Sequence, residues 1–140
     1  MNMATVVDAT DQVLGRLSSV VAKRLLSGEE VVVVNAEKAL ITGDRLQVLA
    51  EFRARRERGS VRKGPFYPRR ADNIVWRTVR GMLPYQQPKG RVALKRLRVH
   101  SGVPAALAGV PAQRVAEAGR IRTARVVTVG EIARSLGAKG

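Results

Sequence analysis

The sequence predicts an α/β fold built on a parallel sheet, and three stretches near its start carry that reading. Thr5-Val6-Val7-Asp8 is a short apolar run ended by turn formers. Val13, Leu14, Leu17, Val20, Val21 and Leu25 then recur at spacings of one, three and four, the helical period. Val31 to Val34 are four consecutive valines, whose β-branched side chains suit a strand covered on both faces, as in parallel sheets. Strand, helix and strand in about 30 residues make a βαβ unit, with a right-handed crossover as the default.

Each element has a local reason. Thr10 or Asp11 can cap the first helix and Gly28 can end it. Residues 35–43 suit a turn and another short strand. Asp44 can cap a second helix to Glu57 with Leu46, Leu49 and Phe52 inward, its outer side ending in Arg53, Arg55, Arg56 and Arg58. Cations in a last turn also complement the helix dipole, so part of that cluster needs no ligand. Residues 59–70, GSVRKGPFYPRR, read as an irregular arm. Asp72 can cap a third helix to about Leu83, with Ile74, Val75, Thr78, Val79 and Met82 on one side and Trp76, Arg77 and Arg80 on the other. After a loop from Pro84 to Gly90 comes a short basic helix, with Ala93, Leu94 and Leu97 inward, and a strand from Leu97 to His100. Residues 102–119, rich in Gly, Pro and Ala, form an extended connection with little core of its own. Arg125 to Val129 is a final strand, and a helix from Glu131 to Leu136 stops at Gly137.

The 140 residues suit one domain, 1–140, with a basic region at 58–101 and an extended connection at 102–125. Charge is distributed unevenly. Residues 1–57 carry eight basic and eight acidic side chains; residues 58–116 carry thirteen basic ones and a single acid, Asp72; the whole chain is +15. A balanced portion followed by a concentrated cationic one implies a folded platform holding a polyanion-binding surface. With no cysteine and one histidine, disulfides, thiolate metal sites and multi-histidine sites are excluded. No stretch approaches the roughly 18 apolar residues of a membrane span, and the start lacks a secretory pattern. A soluble, cytoplasmic protein is expected, without membrane partner, small-molecule substrate or cofactor.

Catalytic constellations are missing. The turn DATDQVLG has one glycine, not the G-x-G-x-x-G that admits a pyrophosphate. Asp8 and Asp11 could in principle hold Mg²⁺, but the simpler reading is that Asp8 ends a strand and Asp11 caps a helix. His100 has no acidic neighbour in sequence and reads as a strand-end or RNA-facing polar residue, not a general base. The binding reading is better supported, because arginine presents a planar fork to phosphate oxygens and stacks on bases. Four of the five aromatics, Phe66, Tyr67, Trp76 and Tyr85, fall inside the cationic part, where unstacked RNA bases would use them. Phe66 and Trp76 fit equally well as packing residues. Cations spread over two loops and at least two helices suit an irregular RNA surface better than one DNA groove.

Five stretches make the chain recognisable: VVDATDQVLGRLSSVVAKRLLSG (6–28), VVVVNAEKALITG (31–43), GPFYPRRADNIVWRTVRGMLP (64–84), GRVALKRLRVHSGVP (90–104) and VTVGEIARSLG (127–137). The chain resembles the large-subunit ribosomal protein family numbered thirteen in the universal scheme, in its archaeal and eukaryotic form. WRTVRGMLP followed by GRVALKRLRVHSG is the specific pairing; GPFYPRRAD stands where the bacterial form has a His/Gly-rich loop. The resemblance implies a three-layer α/β/α sandwich around a parallel sheet of about four strands, plus basic loops and arm. It implies large-subunit rRNA and neighbouring ribosomal proteins as partners, a structural and assembly role in the ribosome, and no catalysis. Carried onto this sequence, it implies RNA contact by Arg62, Lys63, Tyr67, Arg69 and Arg70 in the arm, Arg77 and Arg80 on the helix, and Lys89, Gly90, Arg91, Lys95 and Arg96 beyond it. Arg56 and Arg58 extend this surface from the preceding helix. Gly81 and Gly90 permit close backbone approach or a tight turn. The alternatives are a Rossmann-like nucleotide-binding enzyme and a nonspecific nucleic-acid-compacting protein.

Overall fold

The four valines are all buried and form the middle strand of a parallel sheet in the computed structural model, which describes residues 4–57, 68–119 and 125–138. β1 (Thr5–Asp8) and β4 (Leu97–Val99) flank β2 (Val31–Val34), with Val7 opposite Val33 and Val31 opposite Leu97. Burying each valine is worth about 1.5–3 kcal/mol. A separate antiparallel pair joins β3 (Leu40–Thr42) to β5 (Val126–Thr128). The architecture is therefore mixed α/β, with three parallel strands among the described residues where four were expected.

The helices gather on one face of the parallel sheet. α1 (Leu14–Leu26) directs Leu17, Val21 and Leu25 into a core shared with Val7, Val31 and Val33, and with Ile74, Val75 and Val79 of α3 (Ala71–Gly81). α1 also packs on α4 (Pro88–Lys95), and α3 on α5 (Val129–Ser135). The other face, made by Val6, Val32 and Val34, is packed by Ala4 and Leu107. Among the described residues, the second helical layer of a sandwich is thus replaced by the connection after β4, through its 3-10 turn at Ala105–Leu107.

That connection contributes more core than its composition suggested. Val115 and Ala118 are buried; the Val115 N–H donates to the buried Gln12 side chain (3.0 Å), and Gln113 bridges Val7 on the open edge of β1, where a fourth strand would pair. Caps also differ from expectation. α1 starts after Val13 with no side-chain cap, because Thr10 bonds Asp8 and Asp11 lies in the left-handed region (φ 57°). α3 starts after Arg70, placing Asp72 in its first turn, not at its cap. In α2 (Arg45–Glu57) Val48 and Phe52, four apart, are buried and Leu49 is half-buried against the core, while Leu46 is 76% exposed. Met82 is 42% exposed because α3 has already ended at Gly81. At the C-terminus, Thr128 caps α5 by accepting the Glu131 N–H (3.1 Å).

Candidate nucleic-acid interface

Residues 68–96 hold eight basic residues against one acid, and the fold strings them along a continuous unit: the start of α3, α3, a turn and α4 with its C-terminal end. The apolar side of α3 fixes the rest. With Ile74, Val75 and Val79 buried, Arg77 and Arg80 are half-buried at its flank. Trp76 is also half-buried and packs against the core, which favours its packing reading. At the start of α3, Arg69 is exposed, and Arg70 pairs with Asp72 (3.1 Å), so the one acid is already engaged. A groove of about 310 Å³ brings Phe52 and Arg55 of α2 to Thr78 of α3, on the side of α3 away from Arg77 and Arg80, and Arg56 of α2 is half-buried.

The turn between α3 and α4 is a rigid platform. The Tyr85 N–H donates to the Leu83 carbonyl (2.8 Å), the Gln87 N–H to that of Pro84 (2.9 Å), and Pro88 opens α4. Gly90 is buried, and a Cβ there would lie 2.0 Å from the Pro84 carbonyl oxygen. The close approach expected at Gly90 is therefore to the chain's own backbone. Gly81 has neither a close neighbour nor a positive φ, so nothing in its surroundings requires glycine. Arg91 donates through Nε and Nη2 to the carbonyls of Tyr85 (3.1 Å) and Gln86 (3.0 Å), and Arg80 stacks over the Tyr85 ring at 4.3 Å. A guanidinium on one face of a 37%-exposed tyrosine leaves a preset plane for stacking.

The remaining candidates divide by what already holds them. Lys89 and Lys95 are exposed on α4, whose first turn contains no acid to oppose an anion. Arg96 is anchored, its Nη1 donating to the Leu25 carbonyl near the end of α1 (3.0 Å). Arg58, Arg62, Lys63 and Tyr67, together with Phe66, lie outside the described residues. Tyr85, one of the aromatics the sequence offers for base stacking though not one of the residues carried over from the family, lies in this turn under Arg80.

The carboxyl ends of the strands, where a nucleotide would sit in a Rossmann-like sheet, are arranged otherwise. From β1 the chain moves to β2 and then β4 in one direction, and the segment returning to the other edge of β1 at Gln113 bonds directly to Val6 and Asp8. Burial raises the Asp8 carboxyl pKa, but bonds from the Thr10 hydroxyl and N–H and from Asn35, with Arg114 nearby, outweigh it and hold the group below its ordinary value. Asp8 thereby closes the strand-end turn. The His100 N–H donates to the Val33 carbonyl and its own carbonyl accepts from Ala36, continuing the sheet's bonding. Among the described residues, no group of three or more acidic or histidine side chains is placed to hold a metal ion.

Comparison with known proteins adds a family. The model for ribosomal protein L13 matches residues 2–106. Large ribosomal subunit protein uL13 of Archaeoglobus fulgidus is 49% identical over 139 residues, covering 97% of this chain and 89% of that protein. The protein of that name in Methanosarcina barkeri is 47% identical, covering 96% and 99%, and the one in Methanopyrus kandleri 50% identical, covering 95% and 86%.

Proposed function

The chain belongs to the ribosomal protein L13 family, and from that premise we propose that it is a structural constituent of the large ribosomal subunit that binds and stabilises folded large-subunit rRNA and supports subunit assembly. It is a ribosomal protein of archaeal type and not an enzyme. Its partners are the rRNA and neighbouring large-subunit proteins, within ribosomes of the cytoplasm. The chain acts as one domain, with residues 58–101 facing RNA and 102–125 connecting the last strand to the body.

The observation that supports the RNA face best is the α3–turn–α4 unit. Lys89 and Lys95 offer mobile point charges for phosphates, while the Arg80–Tyr85 stack offers a plane for an unstacked base. Gly90 and Arg91 hold the turn in shape before RNA arrives, so less ordering entropy opposes binding.

Neutralising phosphates releases counterions, so affinity must fall steeply with salt. About 6–10 phosphate contacts correspond to a loss of roughly 10³–10⁵ between 50 and 200 mM salt on duplex DNA, and somewhat less on single strands. Filter binding of the full chain to large-subunit rRNA fragments tests this. Affinity unchanged over that range contradicts the reading, and equal affinity for duplex DNA points to nonspecific compaction.

A further inference from the structure

Residues 101–113, SGVPAALAGVPAQ, lie within the longest uncharged run of a chain in which 26% of residues are charged. They cross the sheet face opposite the helices, and only Leu107 from this segment packs beneath it on Val6, Val32 and Val34. Ala105, Ala106, Ala108 and Pro111 are exposed, as are Val103 (48%) and Val110 (43%). Scattered apolar residues are ordinary on a surface, but an unbroken apolar segment on a +15 protein is not. It offers nothing to phosphate, since RNA contacts are made mainly by cations and polar donors. Two cations flank it. Arg98 is exposed on β4, opposite Val32 and so on this face, and Arg114 follows Gln113, donating to the Thr10 carbonyl (2.7 Å). An apolar centre with a cationic rim matches a polypeptide of apolar centre and acidic rim.

We propose that this segment is a protein-docking surface, occupied in the large subunit by an apolar stretch of a neighbouring ribosomal protein flanked by acidic side chains. It rests on the ribosomal reading above and assigns the opposite side of the molecule from the helices to protein and not to rRNA. The segment's own backbone supports this use. The Val110 N–H donates to the Leu107 carbonyl (3.0 Å) and Gln113 exchanges two 2.8 Å bonds with β1, so the surface is fixed in place before any partner binds.

A photo-crosslinking amino acid at position 110, and in a second chain at position 89, tests the assignment in purified large subunits that have incorporated the full protein. Position 110 is expected to give a protease-sensitive, ribonuclease-resistant adduct with a large-subunit protein, and position 89 an rRNA adduct. Val110→Asp is expected to remove the protein adduct formed from position 103. An rRNA adduct at 110, or none with the segment open to solvent, overturns the docking surface while leaving the RNA face standing. Failure of both chains to co-sediment with large subunits strikes the ribosomal reading itself.

Discussion

Residues 5–34 and residues 71–99 each fold helix and strand into the same core, yet they handle charge differently. The first stretch has three basic and four acidic residues, and the second has seven and one. In the first, three charged groups bond to the chain: Asp8 accepts from Thr10 and Asn35, Arg16 donates to the Glu117 carbonyl, and Arg24 to the Gln113 side chain, while exposed Lys23 is outnumbered by exposed Asp11, Glu29 and Glu30. In the second, only part of the cationic set is tied down. Arg91 and Arg96 brace carbonyls, whereas Lys89 and Lys95 extend into solvent. The contrast teaches that the arginine-rich unit is kept in shape by a subset of its own cations, while Lys89 and Lys95 hold an excess of positive charge in solvent with no acid beside them in the first turn of α4.

Four substitutions can break or sharpen that contrast. Leu17→Ala in the first region removes a side chain that is 1% exposed and should cost about 2–5 kcal/mol of stability, read by denaturant unfolding, with rRNA affinity unchanged for the folded fraction. Gly90→Ala should cost about 1–3 kcal/mol and also weaken rRNA binding, because its Cβ displaces the Pro84 turn. A folded variant with native affinity would show that the turn is not part of the interface. Tyr85→Ala should lose about 1–3 kcal/mol of binding, seen as a roughly 5- to 150-fold rise in Kd, with melting nearly unchanged, if a base stacks there.

The smallest effect belongs to Asp8. Its folded pKa is depressed, so its contribution is full above the unfolded value of about 3.9 and is lost as pH falls through the lower folded value. Asp8→Asn should therefore be less stable than the parent at pH 7, and the gap should close in strong acid. A gap independent of pH assigns the loss to geometry and not to the carboxylate.

Much of the fold was legible because it depends on local pattern. The valines of β2, the 3–4 spacing in α1 and the glycine that follows it (Gly28, φ 102°) each answer to near neighbours. The errors lie where distant residues decide. In α2, Leu46, Leu49 and Phe52 form a plausible stripe; Phe52 and half-buried Leu49 do pack on the core, but packing against α5 and β5 buries Val48 in place of Leu46. Gln12 looks like a turn residue until Val115 arrives from across the chain to donate to it. In the candidate site, residue type and location were readable from charge. Which guanidiniums are engaged by carbonyls, and that Tyr85 lies under Arg80, required the turn to be folded.

The most direct test of the central claim is the salt slope of rRNA binding for the parent and for a Lys89→Gln/Lys95→Gln variant. Both lysines are exposed, so the variant should keep native melting. If they neutralise phosphates, the magnitude of the slope of log K against log salt should fall by about 1.5–2. An unchanged slope with intact folding would place the RNA on some other surface and contradict the account.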